Sequence, residues 1–208
     1  MLGIHDFGVF VVAAIVLNLT PGQDTLYITG RTMAQGRGAG IASVLGISSG
    51  CLIHTLLAAA GISAVLAHSA AAFFYLKAGG AIYLIYLGLR LLVGAPAVPA
   101  SVHGIEAPRF VTIYRQGVLT NLLNPKVALF FLAFMPQFIG ADSTAPFWAF
   151  ITLGLVFVTT GTIWCFVLVW LSGLMVRRLH GSRRIMGMLN YSAGLLFIWL
   201  GIRLVRSA

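Results

Sequence analysis

Residues 121–131 read Asn-Leu-Leu-Asn-Pro-Lys-Val-Ala-Leu-Phe-Phe and place two amides, a proline and a lysine inside an apolar run. A counterpart lies in the first half of the chain, where residues 18–26 read Asn-Leu-Thr-Pro-Gly-Gln-Asp-Thr-Leu. This stretch carries a carboxylate, Asp24, where the other carries the ammonium group of Lys126. A proline inside a helix removes a backbone donor and frees the carbonyl one turn earlier. Both stretches therefore predict a helix that is interrupted by polar groups.

The composition predicts an all-α integral membrane protein. Of the 208 residues, 60% are hydrophobic and 8% are charged, whereas a soluble domain carries roughly 25% charged residues. The length allows six membrane-spanning helices of about 20 residues each. The apolar segments that would form them, numbered one to six, are residues 7–28, 40–67, 73–92, 111–139, 147–176 and 188–205.

The two halves of the chain resemble copies of a three-helix unit. Segments three and six both end with a Gly-x-Arg motif, and Pro21 and Pro125 occupy comparable places in segments one and four. Because three is odd, consecutive copies must lie in opposite orientations, as in the inverted repeats of many secondary transporters. The sequence predicts one transmembrane domain, residues 1–208, with repeats at 1–93 and 111–208 and a linker at 94–110.

The basic residues predict the orientation of this domain. The loops after segments one, three and five contain arginines, whereas the loops after segments two and four contain no Lys or Arg. The positive-inside bias therefore places the odd-numbered loops in the cytoplasm. The net charge of +9 comes from basic residues that lie singly or in pairs between apolar runs. This pattern argues against a nucleic-acid partner, which would require a basic patch or stripe.

Asp24 and Lys126 are the charges most in need of an explanation. A carboxylate at the bilayer centre costs at least about 2.5 kcal/mol and usually faces a cavity or a partner. In inverted repeats the two interrupted helices meet near the midplane, where Asp24 and Lys126 could pair directly or through water. Two readings stay open at this point: a charge pair that only holds two helices together, or a polar site for a charged solute or a proton.

The two breaks together favour a binding site over a pair of simple proline kinks. The amides and the hydroxyl beside the prolines are expected to satisfy the freed backbone groups. Exposed helix ends offer N–H donors for a carboxylate and carbonyls for an ammonium group, and a zwitterionic amino acid needs both. The predicted substrate-binding residues are Thr20, Pro21, Gly22, Gln23, Asp24, Asn121, Asn124, Pro125 and Lys126.

The remaining chemistry-bearing residues predict little. Asp24 and His54 are the candidate proton-coupling residues. Asp24 is a carboxylate within an apolar segment, and histidine titrates near neutrality. For His54, however, a hydrogen bond to a helix carbonyl is the favoured state. Cys51 and Cys165 lack the spacing of a metal site. The sequence holds no paired carboxylates and no phosphate loop. We therefore predict that the protein is not an enzyme and that it binds no metal and no cofactor.

Several motifs together resemble the LysE/RhtB family of bacterial amino-acid exporters. They are Thr-Pro-Gly-x-Asp at 20–24, Gln-Gly-Arg-Gly-Ala-Gly-Ile at 35–41, a glycine-rich second segment, Gly-Ala-x-Tyr-Leu-x-Tyr-Leu-Gly-x-Arg at 80–90 and Asn-Pro-Lys-x-x-x-Phe-Phe at 124–131. The resemblance covers essentially the whole chain. The family usually has a second proline where this chain has Gln23, so one helix breaker is replaced by an amide.

The resemblance implies a multi-pass carrier of the bacterial inner membrane that exports amino acids or their derivatives, driven by the proton gradient as an antiporter is. Asp24 would bind the ammonium group or a proton, and Lys126 the carboxylate. Two alternatives stay open: a passive small-solute channel, and a membrane scaffold in which the polar motifs only hold helices together. Lipid would surround the helices, and the small-residue spacing of segment two favours a homodimer.

Overall fold

The computed structural model of the protein describes residues 2–68, 109–140 and 143–171, together with single helical positions between 75 and 93 and between 188 and 202. Most of segments three and six and almost all of the predicted linker lie outside the described residues. The prediction of one domain with these repeat boundaries therefore stays a prediction.

The described residues are almost entirely helical, with one isolated β-bridge between Ile4 and Ile139. Gln23–Ile62 and Pro146–Leu171 each contain an apolar helical stretch long enough to cross a membrane, and a pair of helices bent by 48° qualifies as one broken span. The prediction of an all-α membrane protein is confirmed. The helices are α1 (Phe7–Leu19), α2 (Gln23–His68), α3 (Phe110–Leu122), α4 (Pro125–Leu129), a π-helical turn (Phe130–Phe134), a 3-10 turn (Met135–Phe138) and α5 (Pro146–Leu171).

Helix α2 folds back on itself at Gly36. This residue has φ 83° and ψ 179°, a backbone conformation that glycine adopts at little steric cost. Ile28 and Val44 lie in one buried cluster, whereas residues that far apart in a straight helix would be separated by about 24 Å. The arms of α2, residues 23–35 and 37–68, therefore lie side by side. The predicted loop between segments one and two is thus a tight turn.

The two interrupted helices of segments one and four run antiparallel with their breaks side by side. Each begins with a helix of 13 residues, α1 or α3, that ends just before the break. Residue numbers rise along one segment while they fall along the other, as inverted repeats require of their first helices. The contacts pair Ile4 with Ile139, Leu17 with Lys126, Asp24 with Asn121 and Arg31 with Gln116.

A cluster of phenylalanine rings fills the space beside the breaks, toward the N-terminus of α1. The π-helical turn carries three of the rings, and the closest pair, Phe130 and Phe157, has ring centroids 4.4 Å apart. Aromatic pairs at this separation add to the stabilisation from burial. The members of this phenylalanine cluster are Phe10, Phe130, Phe131, Phe134, Phe138 and Phe157, all buried.

Small residues let α2 approach α3 closely. A Cβ atom on Gly50 would lie 2.9 Å from the Asn121 side chain, and one on Gly117 would lie 3.0 Å from the Ser43 carbonyl oxygen. The glycines of segment two therefore pack against another helix of the same chain. Because Gly50 packs within its own chain, this face would not join two copies, and the homodimer stays a prediction.

We expect Gly50→Ala to destabilise the protein by about 1–3 kcal/mol, because the added methyl group overpacks the contact with α3. The measurement is the midpoint of thermal unfolding of the purified protein in detergent. Gly61→Ala is the matched control on the same arm of α2, since no atom lies within 4 Å of a Cβ built there. Equal midpoints for the two variants would contradict the close packing at Gly50.

Candidate substrate site

The first break is closed by Lys126, which comes from the opposite segment. Pro21 has no N–H to offer to the Leu17 carbonyl one turn earlier. The Lys126 Nζ atom donates to the Leu17 oxygen at 2.8 Å and to the Thr20 oxygen at 2.7 Å. A cation is also favourable at a helix C-terminus. The Thr20 backbone N–H also reaches the Leu17 oxygen, at 3.2 Å. The side chains of Asn18 and Thr20 bond elsewhere, so the expectation that they satisfy the freed carbonyl is wrong at this break, and the cation comes from segment four.

The second break is organised by Asn124 and His54. The Asn124 side chain accepts a hydrogen bond from the Lys126 backbone N–H at 3.1 Å, and an asparagine N-cap followed by proline is a favourable helix start. Pro125 frees the Asn121 carbonyl, which the Asn124 N–H approaches at 3.0 Å and His54 Nε2 at 3.3 Å. His54 is thus in the carbonyl-bound state favoured by the sequence. Its role in proton coupling stays a prediction.

Asp24 is held by Asn121 across the two segments. The Asn121 Nδ2 atom donates to Asp24 Oδ2 at 2.8 Å. The other oxygen of each side chain, Asp24 Oδ1 and Asn121 Oδ1, is buried and has no hydrogen-bond partner within the described part of the chain. Among these same residues Asp24 and Lys126 bond to neutral partners and not to each other. Each charge therefore keeps bonding capacity for something else.

The two breaks open onto one cavity of about 50 Å³, which has room for a few water molecules. The unpaired oxygens described above belong to residues on its wall. Most of the predicted substrate-binding residues line it, namely Thr20, Gly22, Asp24, Asn121, Asn124 and Lys126.

The other three predicted residues lie off the cavity wall among the described residues. Gln23 is exposed, and Pro21 and Pro125 act through the backbone donors that they lack. The assignment of all nine residues to substrate binding stays a prediction.

The remaining lining residues come largely from segments two and five, where the sequence predicts no substrate-binding residue. Ser48 of α2 and Thr162 of α5 share a hydrogen bond of 2.7 Å, and the Trp164 indole N–H is buried. A signal was available, since Thr159, Thr160 and Thr162 interrupt the apolar pattern of segment five. The additional lining residues include Ser48, Cys51, Gly161, Thr162, Trp164 and Cys165.

The cavity combines a carboxylate, an ammonium group and amides inside an apolar shell. Hydrogen-bonded charges in such a shell can bind a small polar solute that brings both signs of charge. The described residues contain no group of three or more His, Cys, Asp and Glu side chains that could hold a metal ion. The arrangement therefore supports binding and release of a solute.

The fold and the cavity define a multi-pass membrane protein with a polar site between two broken helices. The LysE type translocator family matches residues 15–208. The chain is 31% identical to an uncharacterized membrane protein of Vibrio cholerae over 98% of both chains. It is 27% identical to the leucine efflux protein of Enterobacter sp. (strain 638), over 97% of this chain and 96% of that relative.

A leucine efflux protein of Salmonella typhimurium is 28% identical over 97% of this chain and 95% of its own length. No solved structure matches the chain. The protein belongs to the LysE type translocator family. The resemblance found in the sequence is confirmed, and so is the prediction that the protein is a transporter and not an enzyme, since the family consists of translocators.

Proposed function

We propose that the protein is a secondary active exporter of amino acids across the bacterial inner membrane, coupled to the proton gradient. The observation that carries the proposal is the single cavity that brings together the Asp24 carboxylate and the Lys126 ammonium group, each with unused bonding capacity. Asp24 would bind the ammonium group of the cargo, and Lys126 its carboxylate. The leucine efflux proteins among the relatives support an amino-acid cargo.

The antiparallel packing of segments one and four supports a six-helix inverted repeat with alternating access. In the orientation predicted from the arginines, the phenylalanine cluster lies on the outer side of the cavity. On the cytoplasmic side, the Tyr27 hydroxyl donates to the Ile113 carbonyl at 2.7 Å. The cavity has room for only a few waters, so an amino acid can enter and leave only if the helices separate. The Tyr27–Ile113 contact would open first, on the inner side, and the phenylalanine cluster would open next, on the outer side.

Proton coupling would follow from competition at Asp24. An ammonium group and a proton both need the free Asp24 oxygen, so a proton arriving from outside would weaken the hold on the cargo and favour its release. Once the site faces the cytoplasm, Asp24 would release this proton to the inner side, and its carboxylate could bind cargo again. This cycle exchanges one amino acid for one proton, and the exchange makes the carrier an antiporter.

We expect purified protein in proteoliposomes to drive leucine uphill when a pH gradient is imposed. With one proton exchanged per leucine, one pH unit would sustain a leucine gradient of about tenfold, because both gradients then store about 1.4 kcal/mol. The measurement is radiolabelled leucine flux, repeated with each of the other amino acids. Flux that only dissipates a leucine gradient would identify a channel, and no flux of any amino acid would favour a scaffold.

A further inference from the structure

We propose that the indole N–H of Trp164 is a donor to the carboxylate of the cargo, which makes Trp164 a substrate-binding residue contributed by α5. This inference rests on the proposed function and extends its site to a third segment. Trp164 lies 38 residues beyond Lys126 in the sequence, and neither helix break includes it. It lines the same cavity as Asp24 and Lys126.

The Trp164 Nε1 atom is buried and has no hydrogen-bond acceptor among the residues that the structure describes. An indole can only donate, and buried tryptophan nitrogens usually find a partner. Leaving a buried donor unpaired is destabilising. An unpaired donor on a residue that lines a polar cavity therefore indicates an acceptor that is bound only part of the time.

The unpaired polar atoms of three residues that line the cavity match the two ends of an amino acid. Within the described part of the chain, Asp24 Oδ1 and Asn121 Oδ1 are acceptors without a donor, while Trp164 Nε1 is a donor without an acceptor. The ammonium group of Lys126 has three N–H donors, of which two are used on carbonyls. Two acceptors suit a cargo ammonium group, and two donors suit its carboxylate.

The rest of the wall indicates the side chain of the cargo. Ser48 and Thr162 share one hydrogen bond, in which one hydroxyl donates and the other keeps its own O–H, and neither hydroxyl carries a charge. The other lining side chains near them carry no charge, and they include Ile47, Cys51, Phe157, Val158 and Cys165. The site thus fits an α-amino acid that has a free carboxylate and an uncharged side chain.

The test compares leucine with 3-methylbutylamine, which is leucine without its carboxylate. In proteoliposomes, Trp164→Phe keeps a large aromatic ring and removes the donor, so the KM for leucine should rise roughly tenfold or more. Inhibition of leucine uptake by the amine should change less than twofold. Trp148→Phe is the matched control on the same helix, because that side chain is 61% exposed, and it should leave both quantities unchanged.

An unchanged KM for leucine, or equal weakening of leucine and the amine, would overturn the assignment of the indole N–H. Should Trp164→Phe fail to reach the membrane, the test uses a protein in which Trp148, Trp170 and Trp199 are replaced by Phe. Trp164 is then the sole fluorophore of the four tryptophans. Leucine should shift its emission and the amine should not, and an unshifted emission in a transporting protein would also overturn the proposal.

The two proposals can fail separately. If the wild type transports no amino acid at all, the proposed function fails. If the wild type transports leucine while the Trp164 variant keeps its KM, only the role of Trp164 fails. If the cargo is another amino acid with an uncharged side chain, that amino acid and its decarboxylated amine replace leucine and 3-methylbutylamine. The same outcomes then support or overturn the role of Trp164.

Discussion

Asp24→Asn is expected to cut amino-acid export sharply while the protein stays folded in the membrane. The new amide keeps the size of the carboxylate, and its oxygen can still accept the hydrogen bond from Asn121, which is 2.8 Å long in the structure. What disappears is the charge on the free oxygen and its ability to take up a proton. The loss should reach about 30-fold or more, since removing one partner of a buried charged hydrogen bond costs about 2–5 kcal/mol.

The measurement for Asp24→Asn is leucine efflux from cells loaded with a leucine-containing dipeptide, normalised to the amount of protein in the membrane fraction. Asp6→Asn is the matched control. Asp6 lies just before α1 and its side chain is 40% exposed beside His5, so its efflux should stay within twofold of wild type. Efflux at the wild-type rate from Asp24→Asn would show that the cargo and the proton bind elsewhere.

Lys126→Met is expected to lose both export and stability, because the lysine has two tasks. Its ammonium group is the cation of the proposed site, and it also bonds the Leu17 and Thr20 carbonyls at the end of α1. Methionine fills a similar volume but removes the lysine donor. The Thr20 carbonyl then loses a bond, which costs about 1–3 kcal/mol if it stays unpaired, whereas the Leu17 carbonyl keeps the Thr20 N–H at 3.2 Å. Export should fall below detection, and the midpoint of thermal unfolding in detergent should fall as well.

Lys126→Gln separates the two tasks. Its amide offers two donors to the carbonyls at the break, so part of the lost stability should return, while the missing charge keeps export low. Dipeptide-loaded efflux and thermal unfolding are measured on both variants. Export by Lys126→Gln at the wild-type rate would refute the role of the charge, and a Lys126→Met protein as stable as wild type would refute the closing of the helix end.

Local features of the sequence predict the helix breaks and the membrane location. Apolar runs with so few charges cannot cover a water-facing surface, and this follows from composition without any knowledge of tertiary contacts. Pro21 and Pro125 act on the carbonyl one turn earlier in their own helix, so the breaks found after α1 and before α4 follow from residues next to them in the chain. The motifs around Asp24 and Lys126 likewise identify the family, because they are patterns along the chain.

Other features depend on which distant residues come together. The sequence leaves open whether Asp24 and Lys126 pair with each other, whereas the structure bonds Asp24 to Asn121 and Lys126 to the carbonyls of α1. The cause is the register of segments one and four, which are about a hundred residues apart. A shift of one residue along a helix rotates a side chain by about 100°, and nothing in the local pattern specifies that register.

The sequence by itself determined that the chain is helical, lies in the membrane, breaks two of its helices at prolines and belongs with the translocators. Only the tertiary structure decided what each break faces. Gly36 turns α2 back so that its second arm lies beside its first, and α5 brings the Trp164 indole to the cavity. A proline frees backbone groups of its own helix, which is a local effect. The atoms that bond to those groups belong to residues far along the chain, and only tertiary packing brings them close.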